Sequence, residues 1–123
     1  MTVDMGLVEW VTEALEPIGG VTMRRMMGGA TLYCDGTLFA LTDDGELFFK
    51  ADAESLGVWD AAGCAPFTYP GRNGEMQIGK YRRAPSDVYD DADAMRTWAR
   101  VAIAAGMRAA ASKKPKLRKA RQV

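Results

Sequence analysis

The sequence predicts an α+β fold of two layers, an antiparallel sheet with helices on one face, in the order α-β3(4)-α-β2-α. Three observations carry this. Apolar residues recur at i+3 and i+4 in three separate stretches, near 4–18, 52–62 and 92–111, which marks helices. Between them, short apolar or alternating runs are divided by a Gly-Gly break and by Asp-Gly pairs, the latter a hairpin signal. Helices beside such a sheet bury their stripes by lying on one of its faces. The other face is then left to solvent or to a second copy of the chain.

The first helix is read over residues 4–18. Leu7, Val11, Leu15 and Ile18 form its stripe, flanked by Val8 and Ala14, while Glu9, Glu13 and Glu16 face water. Thr2 or Asp4 supplies the cap, and Pro17 with Gly19 and Gly20 ends the helix. Val21 to Met27 is the first strand. Gly28-Gly29 interrupts it, and Ala30 to Cys34 resumes with Leu32 and Cys34 on one side. Asp35-Gly36 is a hairpin signal, because both central positions of a type I′ turn need positive φ. Thr37 to Leu41 pairs back, Asp43-Asp44-Gly45 turns again, and Glu46 to Lys50 completes a meander.

A second helix is read over 52–62, capped by Asp52, with Leu56, Trp59 and Ala62 on its buried face and Gly63 as its stop. Pro66 to Tyr69 and Glu75 to Tyr81 form a hairpin across Gly71-Arg72-Asn73-Gly74. Pro85 to Asp87 makes a single turn. Asp90 or Asp91 caps the last helix, about 92–111, whose face is Met95, Trp98, Ala99, Ala102 and Gly106. Residues 1–111 are thus one domain. Pro115 is expected to block the helix, leaving 112–123 as a basic, disordered tail.

Residue types that are missing exclude much chemistry. The 123-residue chain has no histidine, so Ser-His and Cys-His nucleophile pairs and histidine-bound zinc are excluded within one chain. Cys34 and Cys64 stand thirty apart and form no CxxC. No phosphate-binding glycine motif is present. No catalytic residue, cofactor or metal ligand is assigned. The longest apolar run, Val101 to Met107, is far short of the roughly 20 residues of a membrane span. The first residues lack a basic start and an apolar stretch, so the expectation is a cytoplasmic protein without membrane contact.

Charge is segregated. All 16 acids lie between Asp4 and Asp93, and up to Met107 the chain carries a net −7. From Arg108 onward there are seven cations and no acid. Lys113, Lys114, Lys116, Arg118, Lys119 and Arg121 are candidate nucleic-acid contacts. The competing reading is a solvated tail, or one that folds back on the acidic body.

The segment Arg24-Arg25-Met26-Met27-Gly28-Gly29 resembles the Arg-x-Met-Phe-Gly-Gly signature of the TfoX/Sxy N-terminal domain family, the bacterial competence regulators and their relatives. Leu32-Tyr33, Gly36 before Phe39-Ala40, Leu47 to Ala51, Pro66 to Tyr69, Tyr81, Pro85 and Trp98-Ala99 agree with it in order and spacing, over roughly residues 5–110. Met27 stands where the family usually has Phe. The expectation from the sequence is a stand-alone N-terminal domain, with a basic tail where full-length regulators have their second, C-terminal domain. The resemblance implies the same α+β order and a regulatory role in transcription. Full-length regulators of this type are thought to assist a cyclic-AMP receptor protein at promoters.

Arg24, Arg25, Gly28 and Gly29 are therefore candidates for holding an anion or a protein partner. Glycines permit backbone N–H groups to converge, and arginine clamps carboxylate or phosphate. The competing reading is a glycine bulge, with the arginines paired to the acidic body and one of them turned inward toward Glu75 or Asp52. Arg72, Lys80, Arg82 and Arg83 with Tyr69 and Tyr81 suit single-stranded nucleic acid, or else a charged sheet edge. Trp10, beside the first helix's stripe, is a candidate interface residue. Cys34 is expected inside and Cys64 exposed. Met23, Met26, Met27, Met76, Met95 and Met107 are read as core filler, or as an adaptable surface. The functional expectation is a non-enzymatic regulatory module acting through protein contacts, either as a single copy or as a homodimer. The alternatives are a nucleic-acid accessory protein using its tail and, last, an unrecognised enzyme.

Overall fold

The computed structural model describes residues 3–26, 28–70, 74 and 76–122, with backbone alone at 69–70, 76–79 and 113–122. Six strands form one antiparallel sheet: β1 (Val21–Met26), β2 (Gly29–Cys34), β3 (Thr37–Asp43), β4 (Glu46–Lys50), β5 (Pro66–Pro70) and β6 (Met76–Arg83). Their order across the sheet is β1-β2-β3-β4-β6-β5. Helices α1 (Met5–Ala14), α2 (Leu56–Ala61) and α3 (Ala92–Gln122) and a 3₁₀ turn at Ser86–Tyr89 complete the α+β fold. The Gly71–Asn73 turn and Glu75 lie outside the described residues.

The meander follows from its turns. Asp35 and Gly36 have φ of 49° and 84°, and Asp44 and Gly45 have 52° and 78°. Both are two-residue connections with positive φ throughout, the geometry that matches strand twist. Asp35 also anchors the chain behind it. Its carboxylate accepts from the Gly20 N–H at 2.9 Å, and its own N–H donates to the Gly20 carbonyl at 2.8 Å.

Core-facing side chains alternate along β2 to β4, and Ala30, Leu32, Ala40, Leu47 and Phe49 are buried beneath α1 and α3. A register shift opposite Leu32/Tyr33 inserts Phe39 as an extra residue, so Phe39 and Ala40 both reach the core. From α3 come Met95, Ala99 and Ala102, all fully buried. Trp59 lies between Phe49 and Trp98, with ring centroids 5.6 and 5.3 Å away. Gly106 lets α3 touch the sheet: a Cβ there would lie 2.2 Å from the Leu38 carbonyl oxygen.

Several expectations are corrected. The first helix ends at Ala14, not Ile18, because a residue before proline avoids α geometry and Pro17 has no N–H; Leu15 to Ile18 continue as turns. Arg96 donates to the Ala14 carbonyl at 3.0 Å and so caps that end from α3. Leu56 is exposed, because α2 has under two turns and touches the core through Trp59. Trp10 is half-buried, its indole N–H donating to the Val88 carbonyl at 2.8 Å. Cys34 is buried as expected, but so is Cys64, where the chain turns back after α2. Of the methionines with described side chains, Met95 is core, whereas Met26 and Met107 are exposed. The face away from the helices is partly covered by the chain itself: Phe67 packs edge-on against Phe48 at 4.7 Å, and Arg83 lies over the same ring.

The last helix does not stop at residue 111. It runs through Pro115 to Gln122. Proline's φ is compatible with a helix, and what it removes is one hydrogen bond. The Ala, Lys and Arg residues around it are strong helix formers.

Candidate functional site: the signature hairpin at the sheet edge

The hairpin β1–β2 carries the sequence signature at the edge of the sheet. Met26 pairs with Gly29, so the loop has two residues, and Gly28 takes φ of 84°. Gly28 accepts at its carbonyl from the Asp44 N–H at 3.3 Å. Gly29 faces β3 so closely that a Cβ would sit 1.7 Å from the Thr42 carbonyl oxygen. The buried Thr42 hydroxyl accepts from the Ala30 N–H at 3.1 Å beside it. Both glycines thus have a structural use, one in the turn and one in close strand packing.

The arginines are differently placed. Arg24 and Arg25 follow each other along β1, so their side chains leave opposite faces of the strand, and both are exposed. Among the described residues neither has an ion pair, whereas Arg82, Arg83, Arg96 and Arg108 each hold a carboxylate. Alternation does set Arg25 on the helix side, but at the margin of the sheet, where it needs no buried acid. Asp52, one suggested partner, belongs to Arg108 instead. The guanidinium makes two hydrogen bonds to that carboxylate, at 2.7 and 2.8 Å. They hold the Asp52 carboxyl well below the usual range, against the opposing effect of desolvation, and Ser55 assists. This clamp ties α3 to the segment before α2. Sequence reasoning saw in Asp52 a helix cap or an arginine's partner; it does accept from the Ser55 N–H at 3.0 Å, but in the turn before α2, whose N-cap is Ser55.

The second basic cluster is largely internally neutralised. Arg82, 14% exposed, donates to Asp60 at 2.7 Å and to the Cys64 carbonyl at 3.0 Å. Arg83 pairs with Glu46 at 2.8 Å. Lys50 lies 5.4 Å from the centre of the Tyr81 ring. Burial raises the Tyr81 hydroxyl's pKa, and neighbouring Tyr33 adds to this. Lys80 is exposed, while Arg72 and the Tyr69 side chain lie outside the description. The tail cations Lys113, Lys114, Lys116, Arg118, Lys119 and Arg121 fall on the distal part of α3, and their side chains are likewise outside it.

Two concavities are lined by described residues. One, of about 540 Å³, is lined by Cys64, Arg83, Pro85, Ser86 and Asp87 among others. Burial pushes the Cys64 thiol up by more than nearby Arg82 draws it down, and Asp87 adds to the rise, so the thiol there is held protonated rather than activated. The other, of about 240 Å³, lies between Tyr33, Leu38 and Lys50 of the sheet and Gly106 and Ala109 of α3. Among the described residues no group of three or more Asp, Glu or Cys is placed to hold a metal ion. No helix there is long and apolar enough to cross a membrane.

No curated protein matches the chain. The TfoX N-terminal domain does match, over residues 13–106. That span takes in the signature hairpin, the whole sheet and α3 as far as its contact with Leu38. The match covers more than half of the chain, and the chain belongs to the TfoX N-terminal domain family.

Proposed function

We propose that this competence-regulator-like domain is a non-enzymatic regulatory module, cytoplasmic, which acts in transcription regulation through contacts with other proteins. The observation that carries the reading is the pair of exposed arginines, without carboxylate partners among the described residues, on an open edge of the sheet. Membership of the family supports the regulatory setting. Exposed arginine is a frequent anchor at protein interfaces, because its planar fork recognises carboxylates bidentately. The test is photocrosslinking in cells from a probe at Thr22 on β1, with a probe at Glu9 on α1 as control. A discrete protein adduct from position 22, lost when Arg24→Glu and Arg25→Glu are added, is expected. Adducts to nucleic acid alone, or equal adducts from both positions, overturn the reading.

A second reading has its own support. Helix α3 continues through the basic segment to Gln122, so the six tail cations are carried on one helix. Six phosphate contacts imply a slope of about −5 in log K against log salt on duplex DNA. Fluorescence anisotropy with the full chain and with residues 1–111 tests it. Equal binding by both forms removes the tail as the DNA anchor.

A further inference from the structure

The two edges of the sheet are protected unequally. Edge strand β5 begins and ends in proline and has a register shift against β6, three features that prevent a further strand from adding. Edge strand β1 has six residues, no proline and an unbroken register against β2. Its two-residue loop makes Met26 and Gly29 a hydrogen-bonded pair. Alternation then pairs Arg24 and Thr22 with β2 in the same way. The N–H and C=O groups of Val21, Met23 and Arg25 point away from the sheet, and no backbone partner meets them among the described residues.

We infer that β1 takes up an extended acidic segment of a partner protein as a seventh strand, held by the outward backbone groups of Val21, Met23 and Arg25 and by the arginine pair. This rests on the protein-contact reading above and specifies its chemistry. Main-chain pairing supplies the attachment in strand addition, and flanking side chains supply the choice of partner. Here Arg24 lies on one face and Arg25 on the other. A strand laid beside them therefore satisfies both with two consecutive carboxylate residues, one on each face. Charge also disfavours most other landing places on the body. The body up to Met107 is net −7, so an acidic segment is repelled over most of the surface and attracted at this edge. A second copy is a poorer occupant, because β1 paired antiparallel with itself brings arginines of both copies within one or two positions of each other.

The test uses the full chain, isotope-labelled, and follows amide exchange residue by residue. The titrants, at millimolar concentration, are a synthetic peptide with a central Asp-Glu pair between Thr-Val flanks, its Asn-Gln counterpart, the acidic peptide with a proline in its centre, and duplex DNA. The acidic peptide is expected to slow exchange at Val21, Met23 and Arg25 at least tenfold. Thr22, Arg24 and Met26, already paired, change little. This alternation distinguishes an added strand from a peptide that merely covers the surface. The Asn-Gln peptide is expected to bind about tenfold more weakly, and the proline peptide not to protect these amides. The double variant Arg24→Glu/Arg25→Glu, whose exposed positions leave the fold intact, is expected to prefer a Lys-Arg peptide. Acidic-peptide binding that perturbs another surface overturns strand addition and leaves the protein-contact reading standing. Perturbation by DNA alone overturns both. Protection of the same amides that rises with protein concentration and needs no peptide makes a second copy the occupant and overturns the partner assigned here. No response to any titrant overturns strand addition.

Discussion

Replacing Gly106 with alanine opposes two effects whose sizes are known. In a helix interior alanine is favoured over glycine by about 1 kcal/mol. At Gly106, however, the new Cβ would lie 2.2 Å from the Leu38 carbonyl oxygen and 2.8 Å from the Thr37 methyl. Neither is the far end of a long flexible side chain, so α3 and β3 must separate by about 1 Å to restore ordinary contact. Overpacking of this kind costs about 1–3 kcal/mol. The net expectation is a loss of up to about 2 kcal/mol. Gly57→Ala on α2 is the matched control, since a Cβ there meets nothing within 4 Å. It should gain up to about 1 kcal/mol from helix propensity alone. Urea unfolding of both variants and the parent, followed by tryptophan emission, measures the difference. If Gly106→Ala is stabilised by the same increment as Gly57→Ala, the close approach of α3 to β3 is refuted.

Three further outcomes are expected. Gly29→Ala, with its Cβ 1.7 Å from the backbone carbonyl of Thr42 and no helix propensity to offset it, should destabilise by more than about 3 kcal/mol, seen as a strongly lowered urea midpoint. Tyr89→Phe removes the hydroxyl that accepts from the buried Leu47 N–H at 2.9 Å, and an unpaired buried donor should cost about 1–3 kcal/mol in the same assay. Asp52→Asn should lower the melting temperature at pH 7. Because the folded carboxyl titrates below its ordinary value near 3.8, its contribution is present above that pH and is lost as pH falls toward the folded value. The gap between parent and variant should therefore narrow below pH 4, and a gap that is constant with pH refutes the clamp.

Much of the fold is legible where one residue type has one local consequence. Asp35-Gly36 and Asp44-Gly45 announce positive φ, and the strands on either side follow. Pro17 and Gly63 punctuate helices for reasons visible in the chain. The register shift at Phe39 was not legible, since nothing in Leu38-Phe39-Ala40 distinguishes a bulge from plain alternation. Nor was the start of α2, read at Asp52 but found at Leu56, since the periodicity of Leu56, Trp59 and Ala62 is that of a longer helix. Pairings over long separations were the least accessible: Asp52 with Arg108, Trp10 with Val88, Arg82 with Asp60 and the Cys64 carbonyl. The signature was legible as a motif, and its glycines as structural, but as a strand break or bulge and not as the hairpin turn that joins β1 to β2. That both arginines would stand exposed at an edge required the strand order, because the sequence does not say which strand has only one neighbour.

The position of α3 in the chain has a consequence for how the protein is made. Met95, Ala99, Ala102 and Ala105, all fully buried, come after every strand. The meander β2–β3–β4 can close as soon as it is synthesised, since its two turns need only neighbouring residues. Its apolar side then waits, with Leu32, Phe39, Leu47 and Phe49 uncovered on the flank that α3 will occupy. During that interval the nascent chain resembles an aggregation-prone intermediate more than a finished domain. A chain released before residue 92 would keep that surface permanently, so premature termination, more than slow synthesis, is the event against which this topology has no protection.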